Sequence, residues 1–237
     1  MIMFHLDMAS IPDLSFPLRR VQVAKFSPGP RLDYVRGEKS DNWSRQIAFI
    51  KDPDPLGPNY FVVSDSVKTP SSAVWRLWLT ADQVTTGAQS AVAIGKEDVD
   101  TNVFFVRPAG VSLTTEQRTH LTSGITAGVY GTASTRQTGL IATNDDGSGF
   151  TTIIYPRLKT EGAPTVTELD EGKVIKVQSG FGTDYIFLSS APFSYQDQDI
   201  SFTGTVGLVQ IRGSKTHLSL GAPGKLMAFG KTLNRAQ

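Results

Sequence analysis

Tyr34, Tyr60 and Tyr155, taken with Arg36 and Arg45, are the side chains of this sequence whose types could carry a reaction. A phenol can pass a proton and a guanidinium can neutralise a carboxylate. Brought together, they would suit β-elimination from a uronic acid. That reaction needs a base near C5, a donor to the leaving oxygen and a cation at the carboxylate. Tyrosines in β-rich proteins more often pack with the hydroxyl at a rim, so no catalytic residue is assigned. Trp43, Trp75 and Trp78 offer a second chemistry, stacking on the apolar face of a pyranose. The candidate carbohydrate contacts are Tyr34, Arg36, Trp43, Arg45, Tyr60 and Trp78.

The remaining chemistry-bearing residues are sparse. His5, His120 and His217 are the three histidines, with no His-x-His or His-Glu-x-x-His spacing. Cysteine is absent. No metal site is therefore expected. Asn144–Gly149, NDDGSG, carries two carboxylates but lacks the alternate-oxygen spacing and distal glutamate of a calcium loop. It reads as a glycine-rich turn. Gly180-Phe181-Gly182 lacks the third glycine of a dinucleotide fingerprint, and Gly-x-Ser-x-Gly does not occur. No cofactor is expected.

The elements that must position these residues are strands. Apolar residues make up 39 % and charged residues 19 % of the 237 positions, a globular composition. The formal net charge of +1 gives no global field for a nucleic acid or an anionic membrane, and neither is expected as a partner. No apolar run reaches the length of a bilayer span. The opening MIMFHLDMASIPDL, broken by His5 and Asp7, is a poor signal peptide, and the compartment stays open.

Period-2 alternation recurs along the chain. Arg45–Lys51 sets Ile47 and Phe49 on one face; Asp52–Asn59, with three prolines and Gly57, must turn. Tyr60–Asp65 follows. Ala73–Thr80 then sets Trp75, Leu77 and Leu79 against Arg76, Trp78 and Thr80. Val103–Val106 is a short strand. Ser112–Leu121 is the one helical turn expected, capped by Thr114 or Thr115 ahead of Glu116 and Gln117. Gly139–Thr143 with Phe150–Pro156, and Lys173–Gln178 with Asp184–Ser189, read as hairpins. Ile200–Arg212, His217–Leu220 and Lys225–Phe229 finish the chain. Roughly a dozen short strands at this spacing predict an all-β antiparallel sandwich with at most one short helix. The expected organisation is a single domain over residues 1–237, with a subdomain seam near 160–165 at Gly162-Ala163-Pro164. Prolines 12, 17, 28 and 30 suggest an extended, poorly paired approach to a first convincing strand near Arg45.

Several strand phrases resemble the C-terminal sandwich of heparinase II/III-type and alginate-lyase-type polysaccharide lyases. Leu32–Glu38 resembles that family's Tyr-Val-x-Gly-Asp stretch, with Glu38 in place of the usual aspartate. Arg45–Lys51 is similar to its Arg-x-Val-Leu-Phe-Val-Lys strand, and Asn59–Asp65 to its Tyr-Phe-Val-Val-x-Asp strand. Phe150–Arg157 is similar to its late strand ending Tyr-Pro. The resemblance spans about residues 30–230. It implies a supersandwich that such lyases join to an N-terminal helical toroid, where the catalytic tyrosine and a histidine lie. No toroid is present in this sequence, so the chain reads as a C-terminal piece of a lyase-like protein, with longer relatives that are periplasmic or secreted. The implied function is acidic-polysaccharide recognition without a full catalytic set. The alternatives are an active lyase working by β-elimination and a structural module that self-associates as a homo-oligomer.

Overall fold

The strands that carry the strongest alternation pair in the order in which they occur. In the computed structural model, which describes residues 3–8, 21–39, 43–68, 72–126 and 129–236, Leu32–Lys39 (β3), Trp43–Ile50 (β4) and Tyr60–Val67 (β5) lie antiparallel side by side. The registers are Leu32↔Ile50 and Ile50↔Tyr60. The Asp52–Asn59 loop turns as its prolines require. It is fastened by short-range bonds: Asp54 N donates to Asp52 Oδ1 (2.9 Å), Leu56 N to Asp54 Oδ1 (2.9 Å), and Gly57 N to Asp54 O (2.9 Å).

These three strands belong to a central sheet of eight. Gln22–Ser27 (β2) forms one edge. Thr151–Leu158 (β12), Val99–Arg107 (β9), Ser90–Ile94 (β8) and Gln83–Thr86 (β7) follow β5, giving the order β2-β3-β4-β5-β12-β9-β8-β7. On one side lies a four-stranded sheet, β1-β6-β11-β10, built from Met3–Met8, Ala73–Leu79, Val129–Asn144 and Ser112–Thr126. On the other lies a seven-stranded sheet, Thr165–Leu169 (β13), Val174–Ser179 (β14), Gly182–Gln196 (β15), Ile200–Arg212 (β16), Lys215–Leu220 (β17), Gly224–Ala228 (β18) and Lys231–Arg235 (β19). All ladders are antiparallel. The architecture is a three-layer β-sandwich.

Period 2 explains why the middle layer is apolar on both faces. Ala48, Ile50, Tyr60, Val62, Ile153 and Tyr155 pack against Ile175, Ile186, Val206 and Leu208 of the seven-stranded sheet. Val63, Phe105 and Ile154 face the other way, onto Trp75, Leu77 and Leu140. Trp75, Leu77 and Leu79 share that inner face of β6, as the alternation predicts. A third cluster fills the outer face of the seven-stranded sheet, where Phe187 stacks on Phe202 at 4.5 Å. Gly207 is needed there, because a Cβ would stand 2.7 Å from the Phe202 ring.

Three expectations are corrected. Ser112–Leu121 is not helical. It lies within β10 and pairs residue by residue with β11 from Ser112↔Thr143 onward. Its threonines fit a pleated surface better than a helix interior. Gly139–Thr143 and Phe150–Pro156 do not form a hairpin, since β11 is in the outer sheet and β12 in the central one. Asn144–Gly149 instead carries the chain between sheets. Asn144 Nδ2 donates to Ser148 O (2.7 Å), Asp146 N to Asn144 Oδ1 (3.0 Å) and Ser148 N to Asp146 Oδ1 (2.7 Å). Gly149 ends the crossover so close to β5 that a Cβ would stand 1.6 Å from Asp65 O. Finally, the first paired strand is not near Arg45: β1, β2 and β3 precede it. The helical element found among the described residues is one three-residue turn, Asp170–Gly172, with positive φ at all three positions.

Leu77→Ala is expected to lower unfolding free energy by about 2–5 kcal/mol, since it opens a void between two sheets. Leu56, 83 % exposed in the Asp52–Asn59 loop, should tolerate alanine within about 0.5 kcal/mol. Urea unfolding of the two variants checks the contrast.

Candidate functional site

Strand alternation distributes the six candidate residues over three surfaces. Tyr34, Arg36 and Tyr60 lie on the central-sheet face that looks at the seven-stranded sheet. They share rows with Ala48–Val62, Gln46–Ser64 and Ile50, respectively. Trp43 and Arg45 lie on the opposite face, and Trp78 is on the outer face of the four-stranded sheet. Even on one face, the Arg36 and Tyr60 rows are four residues apart, about 13 Å along the strands. The structure does not bring the six together.

Each is engaged locally. Arg45 and Asp65 face each other in the β4–β5 ladder and form a two-pronged pair, Nε to Oδ1 at 2.7 Å and Nη2 to Oδ2 at 2.8 Å. Trp43 Nε1 adds a third donor to Asp65 Oδ1 (3.1 Å), and the Arg45 guanidinium sits 5.4 Å from the Trp43 ring centre. Burial pushes the Asp65 carboxyl up from its ordinary value; Arg45 and Trp43 oppose that push. Trp78 is buried under Arg118, whose guanidinium lies 4.8 Å from its ring centre, with Gly139 across the ladder. Tyr34 is buried, and its hydroxyl is 2.9 Å from the Gln46 amide. With its nitrogen toward Ser189 O (3.1 Å) and its oxygen toward Ser190 N (3.2 Å), that amide satisfies both ends. Arg36 pairs with Glu38 at 2.8 Å and reaches Ser190 O at 3.4 Å.

Tyr60 belongs to a buried cluster that sequence reasoning missed. Its hydroxyl donates to Asp184 Oδ2 (2.7 Å). Arg212 meets the same carboxylate, Nη1 to Oδ1 at 2.7 Å and Nη2 to Oδ2 at 3.2 Å, and also holds Asp52 Oδ2 from Nε at 2.6 Å. The Tyr155 ring lies 5.0 Å from that of Tyr60. Burial raises all three phenols, Tyr60 well above its ordinary value with Asp184 adding to the effect. A tyrosine base is helped by a shift the other way. Asp65 was legible in principle: counting back from a turn at Lys51–Asn59 sets position 45 opposite 65. Asp184 and Arg212 carried no such local signal.

A cleft of roughly 500 Å³ lies between the central and seven-stranded sheets. Ser64 and Ser66 of β5, Arg107, Glu168, Lys173 and Ser189 line it. Arg107 Nε pairs with Glu168 Oε1 at 2.7 Å, and Lys173 Nζ with Glu171 Oε2 at 3.3 Å. Glu171 holds φ +55° beside Gly172, whose added Cβ would meet Arg107 Cδ at 2.6 Å. The lining is hydroxyl-rich, and its cations are already paired. Among the described residues, no three His, Asp or Glu side chains converge as metal ligands. No helix of the structure is long and apolar enough to cross a membrane.

No family model matches the chain, and no curated protein matches it. Solved structures are similar to it. Heparan sulfate lyase HepC from Pedobacter heparinus aligns over 90 % of this chain and 28 % of its own, at 13 % identity and TM-score 0.49. A heparinase III gene product aligns over 84 % and 27 %, at 10 % identity and TM-score 0.49. A heparinase III structure aligns over 88 % and 27 %, at 12 % identity and TM-score 0.42. The chain spans a little over a quarter of each neighbour's length. These neighbours are of the heparinase type that the strand phrases resemble.

Removing Asp65 leaves Arg45 buried without its counter-charge. Asp65→Ala should cost about 3–5 kcal/mol, while Arg36→Ala, at a partly exposed pair, should cost about 0–1 kcal/mol. Denaturant midpoints measure both. The Asp146 carboxyl is held below the ordinary aspartate value by the Ser148 hydroxyl, the Ser148 N–H and Asn144. Its contribution to the Asn144–Gly149 crossover is present above the unfolded value and lost as pH falls through the lower folded one. Amide exchange at Ser148, corrected for intrinsic rate, should lose protection on acidification, and Asp146→Asn should flatten that dependence.

Proposed function

We propose that this chain is a polysaccharide-lyase-type β-sandwich domain that recognises acidic polysaccharide without carrying a complete catalytic set. The observation that carries the second half is the burial of the phenols. Tyr34, Tyr60 and Tyr155 are 3 %, 0 % and 2 % exposed. Each is shifted away from the proton affinity a base requires. Arg45 is consumed by Asp65 on the opposite sheet face. None of Tyr34, Tyr60, Tyr155, Arg36 and Arg45 lines the hydroxyl-rich cleft. Support for the first half comes from the strand phrases of β3, β4, β5 and β12, four adjacent strands of the central sheet, and from the hydroxyl-lined cleft at its seam.

Affinity electrophoresis through gels containing alginate, heparin, heparan sulfate or chondroitin sulfate tests recognition. Retardation by at least one of them is expected, weakening as salt rises. Unretarded migration in all four at low salt would remove the proposal. Absorbance in the unsaturated-uronate band should stay at background with the same glycans. Turnover abolished by Tyr34→Phe or Tyr60→Phe would make the chain a lyase instead.

A further inference from the structure

Three connections bring unpaired cations to one edge of the seven-stranded sheet. The tight β16–β17 turn sets Lys215 opposite Arg212 and His217 opposite Gln210. Gln210 Nε2 donates to Lys51 O (3.3 Å) and Lys51 N to Arg31 O (2.9 Å), which draws the β2–β3 loop and Arg31 to the same place. From the β18–β19 turn, Lys231 Nζ donates to Thr216 O (2.7 Å). The nearby acids are already taken: Asp52 and Asp184 by Arg212, and Asp33 by Lys51 at 2.8 Å. Among the described residues, Arg31, Lys215 and Lys231 have no carboxylate partner, and Nη1 of the half-buried Arg31, itself a buried atom, makes no hydrogen bond. The chain as a whole carries only +1, so this edge concentrates charge that the composition hides.

We infer that Arg31, Lys215, His217 and Lys231 form a binding site for the sulfate or carboxylate groups of an acidic polysaccharide. The glycan half of this rests on the function proposed above; the oxyanion half does not. An arginine fork with donors to give, flanked by two flexible ammonium groups, matches an oxyanion presented along a chain. An anion bound there would also relieve repulsion among the clustered cations. His217 reports the field directly. Burial first, then Arg31, Lys231, Lys215 and Arg212, hold its imidazole below the ordinary value, so a bound anion must move it upward.

The full chain is titrated by NMR through the His217 ring signals, assigned with His217→Gln, in sodium sulfate and in chloride of equal ionic strength. Sulfate should raise the His217 midpoint above its value in chloride. Retention on heparin gel should be lost in the Lys215→Glu/Lys231→Glu double variant. It should be kept in Lys68→Glu/Lys96→Glu, which changes the same charge at other turns. All four lysines are exposed, and unchanged thermal unfolding establishes that each variant is folded. A His217 midpoint equal in the two salts overturns the site. Equal retention of the two double variants overturns its role in glycan binding, as does duplex DNA held as tightly as heparin. A sulfate response with no retention of the parent chain on any acidic glycan leaves the oxyanion site standing and removes the polysaccharide reading.

Discussion

One guanidinium fixes how two of the three layers meet. Arg212 of β16 holds Asp184 of β15 and Asp52 at the end of β4, and Tyr60 of β5 closes on the same Asp184 carboxylate. An isolated charge here would cost several kcal/mol in lost hydration, so its partners must all be in place. Period 2 then makes the arrangement unforgiving. A slip of one residue in either sheet would send Tyr60 or Asp184 to the wrong face and leave Arg212 uncompensated. The apolar contacts of Ile50, Ile186 and Leu208 hold the layers together, and the polar cluster reinforces the register they share.

A second buried pair does the same within the central sheet. Arg45 and Asp65 lock β4 to β5 across a loop that three prolines and the Asp52 and Asp54 caps already stiffen. Side chains that suggested chemistry in the sequence thus serve as registration devices. Polar side chains that do not serve this purpose lie at the sheet seam and along the β17 edge. The near-neutral total conceals the cations gathered at that edge, Arg31, Lys215 and Lys231.

Local signals were readable and long-range ones were not. The β4–loop–β5 unit follows from alternation around a proline-rich turn, and the β14–β15 hairpin from Gly180-Phe181 between two apolar runs. Ser112–Leu121 misled because Thr114 ahead of Glu116 and Gln117 has the composition of a helix start. The pairing partner that overrides it begins only at Val129. The Asn144–Gly149 turn was correctly seen as a turn, but turn chemistry does not say whether the chain returns to the same sheet or enters another. The Tyr60–Asp184 contact joins residues 124 positions apart, a distance no spacing rule spans. Arg45–Asp65, by contrast, lay within reach of simple counting from the loop.

The position of β12 has a consequence for how the chain comes into being. In the central sheet it separates β5 from β9, although both are made well before it. As the polypeptide is synthesised from its N-terminus, β2–β5 and β7–β9 can each pair locally while two open edges, apolar on both faces, wait for residues 151–158. Closure of the middle layer is therefore a late, non-local event, of the kind that slows folding and lengthens exposure of unpaired backbone. A ribosome stalled before Thr151 would hold two half-sheets with nothing between them, each a template for the wrong neighbour.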